Sequence, residues 1–193
     1  MYRDMETGPH ESSAARDGIP SESECMALMR EHGMLPNIME HSLQVMKVAL
    51  AIADNLKDGC RVDRALVVAG ALLHDITKTR SLETKERHDE TGAELLRGMG
   101  LDRIAFIVGQ HVFFMGFDPS GPLEEREIVY YADKCVMHDK IVSVHARVDD
   151  LVERYGTTPE RRELILRNKD LILGIERKIA SFMRDDINHV VGN

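Results

Sequence analysis

The 193-residue chain has no tryptophan, and aromatic side chains make up only 5% of it. A core without large rings must be filled by Leu, Ile, Val, Ala and the eleven Met, a composition that favours helices over a sheet sandwich. Cysteine is scarce as well. Cys25, Cys60 and Cys135 are odd in number, far apart and form no Cys-x-x-Cys pair. That excludes a disulfide framework and a zinc ribbon, and it suits a reducing cytoplasm. Positive charge is in deficit, with a net charge of −8. A nucleic-acid duplex is therefore not the expected partner, because phosphate backbones need a basic face. A small anionic substrate stays open, since a local cation or metal overrides the global sign. No run approaches the ~20 apolar residues that span a bilayer. The opening "MYRDMETGPHESSAARDG" lacks the apolar centre of a signal peptide. The expectation is a cytoplasmic protein with no membrane partner.

Residues 1–20 are polar, carry Gly, Pro and Ser, show no periodicity and read as a disordered N-terminal tail. From there the chain reads as about seven helices, an all-α fold. Ser21 or Ser23 caps the first, which Gly33 stops. Asn37 with Glu40 has the spacing of a capping box for the second, and places His41 in its first turn. Asp63 caps a third helix that is apolar all round and therefore buried, with His74 and Asp75 at its C-terminal end. His88 opens a short helix, and His111 falls in the last turns of the next. A helix over 123–142 carries Asp133, and a long amphipathic helix from near Thr158 offers a face for a homodimer.

Six residues in apolar helical segments stand out: His41, His74, Asp75, His88, His111 and Asp133. One buried His or Asp usually holds a carbonyl or a cap. Six on five segments, left unpaired, would cost ~1–3 kcal/mol each. A divalent cation satisfies them together. Mixed imidazole and carboxylate donors suit Fe, Mn, Zn, Co or Ni more than Mg or Ca. Without thiolates the set is not a structural zinc clip. Adjacent residues such as His74 and Asp75 lie ~100° apart on a helix, so both reach one ion only at a helix end or distortion.

The order His41, His74-Asp75, Asp133, within "EHSLQV", "LLHDITK" and "YYADK", resembles the H…HD…D signature of the HD superfamily of metal-dependent phosphohydrolases. "HDITK" is similar to the family's "HDIGK" segment, with Thr77 in place of Gly. The resemblance implies an all-α HD domain over 21–193, with its core at 35–145 and a C-terminal helical extension. It implies metal ligands His41, His74, Asp75 and Asp133. "RHDETGAELL" and "IVGQHV" are similar to the two-metal members, which adds His88 and His111 with Asp75 bridging. Bacterial hydrolases that split diadenosine tetraphosphate symmetrically share that order. The further histidine and GYP segment of the HD-GYP phosphodiesterases are not evident. The implied cofactor is one or two divalent transition metal ions, with Fe or Mn favoured. The implied substrate is a small phosphorylated molecule of nucleotide type.

On this reading Asp75 and Lys78 are the catalytic pair. Lys78, one turn after Asp75, binds a phosphate oxygen; its plainer role is a cation at a helix C-terminus. Arg80 joins it as a substrate-binding candidate, while Lys85 and Arg87 read as solvated loop charges. Lys134, beside Asp133, has the same two readings as Lys78. Gln110 is a candidate to support a ligand. His32, His138, His145 and His189 match no ligand position, and "HDK" at 138–140 reads as a chance repeat on a charged helix. Two other classes remain open: a mixed-valent di-iron oxygenase on the same ligands, and a non-catalytic HD module that senses a ligand.

Overall fold

A computed structural model describes residues 18–192. The N-terminal tail expected over 1–20 lies almost wholly outside these. The described residues are mostly helical, in the order α1 (Glu22–Glu31), α2 (Pro36–Asp54), α3 (Arg64–Leu73), α4 (Lys78–Thr84), α5 (His88–Gly98), α6 (Asp102–Val108) and α7 (Glu125–Lys134). A two-residue hairpin of β1 (Val136–Met137) and β2 (Lys140–Ile141) follows. Then come α8 (Val144–Tyr155), α9 (Pro159–Phe182) and α10 (Ile187–Val191). The all-α class expected from composition is what the chain adopts. No helix among the described residues is long and apolar enough to cross a membrane.

Local signals explain most boundaries. Ser21 and Glu24 form a reciprocal capping box on α1. The Asp63 carboxylate accepts from the N–H groups of Ala65 and Leu66 and opens α3. Thr158 caps α9, with Pro159 in the first turn. At α2 the structure corrects the sequence reading. The helix starts at Pro36 behind Leu35 without a side-chain cap, so Asn37 and Glu40 form no capping box. Proline is suited to the first helical position because its missing N–H would have no partner there. His41 consequently sits in the second turn of α2, not the first.

The core is organised around α3. Its residues from Leu66 to Leu73 are all buried, and it packs against α1, α2, α6 and α7. Each fully buried Leu or Val there contributes roughly 1.5–3 kcal/mol. Gly70 permits the close approach: a Cβ at that position would meet Ile107 Cγ2 at 3.0 Å and Val129 Cγ2 at 3.4 Å. α9 is fastened to the outer side of α7 by three polar contacts. Lys178 Nζ donates to Glu127 Oε1 at 2.7 Å, with both side chains buried. The Tyr131 hydroxyl donates to Glu176, and the Tyr130 hydroxyl donates to Asn168.

The helix expected over 123–142 is shorter than its sequence suggests. α7 ends at Lys134, and the chain turns through the hairpin with His138 at a φ of 58°. The "HDK" stretch is therefore a turn and not a charged helix. α6 also ends early, at Val108, which leaves His111 in an irregular segment beyond it.

Candidate metal centre

The end of α3 delivers two of the six residues. Four turn residues, 74–77, separate α3 from α4. That break in the helix lets the neighbours His74 and Asp75 converge, as the ~100° rule requires. α2 presents His41 from one side, and α7 presents Asp133. The first residue of α5 supplies His88, and the segment after α6 supplies His111. All six converge on one place. The rings of His41, His74, His111 and His88 form a chain of edge contacts with successive centroids 5.4, 5.1 and 5.0 Å apart.

Two groups can be distinguished, and Asp75 belongs to both. Ligand atoms of His41, His74 and Asp75 lie within 4.8 Å of one another, and so do those of Asp75, His88 and His111. Asp75 Oδ2 faces His74 Nε2 at 3.4 Å. Asp75 Oδ1 faces His88 Nε2 at 3.2 Å and His111 Nε2 at 3.4 Å. Asp133 completes the first group, with Oδ1 3.0 Å from His41 Nε2 and 3.7 Å from His74 Nε2.

The protonation pattern tests whether a cation fits. Three imidazoles spend their Nδ1–H on main-chain carbonyls: His41 on His138 at 2.8 Å, His74 on Ala71 at 2.7 Å and His111 on Val108 at 2.6 Å. In the neutral ring each Nε2 is then a lone pair, and each points inward at carboxylate oxygens. His74 Nε2 is buried and has no hydrogen-bond partner. Lone pairs gathered on carboxylates repel unless a cation stands among them. The arrangement suits a metal ion, and carbonyl-anchored imidazoles are how proteins orient metal ligands.

Electrostatics agree. Burial pushes His111 down to about 4, so it is neutral at pH 7. Burial also opposes a charge on His74, but the Asp75 carboxylate, with Asp133 behind it, outweighs this and draws a proton to the ring. A metal ion would take that proton's place. Burial alone would raise Asp75 and Asp133. Lys78 and His74 hold Asp75 well below the usual carboxylate range, and Lys134 with His41 and His74 does the same for Asp133.

The cationic candidates part company. Lys78 opens α4, about one-third exposed, with Nζ 3.3 Å from Asp75 Oδ2. Burial would lower its pKa, but Asp75 and Asp133 raise it, so it stays charged. Arg80 points elsewhere, in an exposed ion pair with Glu86 at 3.0 Å. Arg87 is held by Asp89 and Glu90, and Lys85 Nζ donates to the Leu82 carbonyl. Gln110 Oε1 accepts from the Met115 N–H and so shapes the loop beyond His111.

Three groups take supporting roles that the sequence reading does not assign to them. Thr77, in the glycine position of "HDIG", is buried; its hydroxyl donates to the His88 carbonyl at 2.8 Å and also meets Thr91 Oγ1 at 3.0 Å. It ties the start of α5 to the His74–Asp75 turn. His138, set aside as matching no ligand position, supplies the carbonyl that orients His41, and Arg154 donates to its Nε2 at 2.9 Å. Lys134 is buried against Asp133. A lysine inside the apolar run "IVYYADKCV" was the one signal available for the last.

The HD domain family model matches residues 38–138, a span that holds all six residues. A tRNA (cytidine(56)-2'-O)-methyltransferase of Picrophilus torridus is 34% identical over 146 residues, covering 68% of this chain and 40% of that protein. The chain thus spans about two fifths of that relative's length. A dihydroneopterin 2',3'-cyclic phosphate phosphodiesterase of Methanocaldococcus jannaschii is 38% identical over 71 residues, 36% of this chain and 28% of that protein. Among solved structures, a predicted HD superfamily hydrolase from an uncultured Thermotogales bacterium matches with a TM-score of 0.46 and 23% identity, over 82% of this chain and 91% of that one.

Proposed function

The chain belongs to the HD domain family, and from that premise we propose that it is a metal-dependent phosphohydrolase with a two-ion centre. The observation that carries this reading is the Asp75 carboxylate, one oxygen of which faces His74 while the other faces His88 and His111. His41, His74 and Asp133 would hold one ion, His88 and His111 the other, with Asp75 shared. The donor set of imidazoles and carboxylates suits Fe, Mn, Zn, Co or Ni, and the family resemblance favours Fe or Mn among them. Bound divalent ions supply acidified water and Lewis-acid polarisation of a phosphoryl oxygen.

The chain's own part is positioning and charge. Asp75 and Asp133 are ionised at neutral pH and would offset part of the charge of bound ions. Lys78 stays charged at the edge of the centre and is the group that meets the substrate. Its ammonium passes from Asp75 to a phosphate oxygen and stabilises the charge that develops there. The substrate class proposed is a small phosphorylated molecule, of nucleotide type, with a phosphoester or phosphoanhydride bond. The phosphodiesterase named among the relatives supports a phosphodiester within that class, although the likeness covers only 36% of this chain.

The test is anaerobic turnover of Mn(II)-loaded protein on bis(p-nitrophenyl) phosphate, 2',3'-cyclic nucleotides and dinucleoside polyphosphates. The expected result is P–O cleavage in at least one of these, stopped by EDTA. Lys78→Ala should keep its metal content and lose about 10- to 100-fold in turnover, the worth of one charged hydrogen bond. Turnover that requires O₂ would instead assign the ligands to an oxygenase.

A further inference from the structure

We infer that Lys134 is a positioning residue that holds the two halves of the metal centre in register, an inference that rests on the two-ion reading above. Its side chain is 9% exposed and carries a charge into the interior. Such a group is costly unless every donor is used. Nζ donates to Asp133 Oδ2 and to the main-chain carbonyl of His111 at 2.9 Å. It also sits 4.8 Å from the centre of the Tyr130 ring. That ring is anchored in turn by its hydroxyl on Asn168 of α9.

These contacts have two effects on the ligands. An unrestrained carboxylate can turn both oxygens to an ion. Here Oδ2 of Asp133 is occupied by Lys134, so only Oδ1 faces His41 and His74. His111 lies beyond the end of α6, where its N–H reaches the Val108 carbonyl at 3.4 Å. Its own carbonyl is fixed by Lys134, while its ring is fixed by Val108. One ammonium therefore joins a ligand of the first group to a ligand of the second. Asp75 joins them on the ligand side, and Lys134 joins them from behind.

Two effects oppose each other, which makes the inference testable by sign. A cation this close to the site repels metal ions, so bare electrostatics predicts that removing it tightens binding. Positioning predicts the reverse. The experiment is calorimetric titration of metal-free protein with Mn(II), alongside the melting temperature of each metal-free variant. Wild type should take up two ions. Lys134→Met should weaken both steps by about tenfold or more, the usual consequence of losing a group that orients a ligand. Lys134→Arg, which keeps the charge and the donors, should recover most of that loss. Lys134→Gln, which keeps one donor without the charge, should fall between and serves if the Met variant does not fold.

Affinity in Lys134→Met or Lys134→Gln equal to or tighter than wild type overturns the inference. So does a lowered melting temperature with unchanged affinity, since that is a structural role only. If wild type takes up no Mn(II), the two-ion reading itself fails and Lys134 falls with it. If wild type takes up two ions and the variants match it, Lys134 alone is misassigned.

Discussion

Asp75→Ala purifies without either metal ion and turns over no phosphodiester above the level of metal-free wild type. This is the largest functional effect the structure predicts, because among the described residues Asp75 is the one that belongs to both candidate ligand groups. Loss of His111 or of His41 leaves one group intact, so each should retain one ion. Loss of Asp75 removes a ligand from both and also the anion that Lys78 contacts. Elemental analysis of the purified variants distinguishes the cases. A second readout separates ligand loss from misfolding. A ligand that binds only the folded state raises its stability by mass action, so Mn(II) should raise the melting temperature of wild type and leave Asp75→Ala unmoved. Full metal content in Asp75→Ala would remove the basis of the proposed centre.

Glu127→Ala unfolds at markedly lower denaturant than wild type, with a loss of about 3–5 kcal/mol, the cost of leaving one partner of a buried ion pair alone. Glu127 and Lys178 are 1% and 3% exposed at their side chains and make the one buried bond between α7 and α9 in which both partners are ionisable side chains of opposite charge. Glu127 Oε2 also accepts the N–H of Glu124 and so closes the start of α7. At roughly 2–4 °C per kcal/mol for a chain of this size, the melting temperature should fall by about 10 °C. The double variant Glu127→Leu/Lys178→Met should recover much of the loss, because replacing a buried pair with apolar groups is often neutral. The exposed pair Arg167–Glu163 is the contrast: Glu163→Ala should change stability by less than about 1 kcal/mol. A cost for Glu127→Ala as small as that of Glu163→Ala would show that α9 is not fastened through this pair.

What could be read from the sequence follows from which signals are local. The caps Ser21, Asp63 and Thr158 act within three residues and are visible as residue types at fixed offsets. The burial of α3 is visible because it is apolar on all sides. That His74 and Asp75 need a helix end follows from helical geometry, and the turn at 74–77 supplies it. The misreadings share a physical origin. Pro36 displaced Asn37 from the start of α2 because proline is preset for the first position. The hairpin at 136–141 has strands of two residues each, too short to leave an alternating pattern. Its turn also holds His138, whose contribution to the site is a main-chain carbonyl and so has no residue-type signature. Lys134 has the same two readings in the sequence as Lys78, yet it is buried on the carboxylate of its own neighbour Asp133; Lys178, buried on Glu127 of another helix, has no signal in the sequence. Arg80 is a substrate-binding candidate by its place in the segment before His88, but Glu86 holds it on the surface.

The most direct test of the two-ion centre is anomalous diffraction at the manganese edge from crystals grown with Mn(II). The proposed centre predicts two peaks about 3.5–4 Å apart, the spacing of two-metal hydrolytic sites. One should lie among His41, His74 and Asp133, the other beside His88 and His111, with Asp75 between them. A single peak, or peaks away from Asp75, would contradict the account.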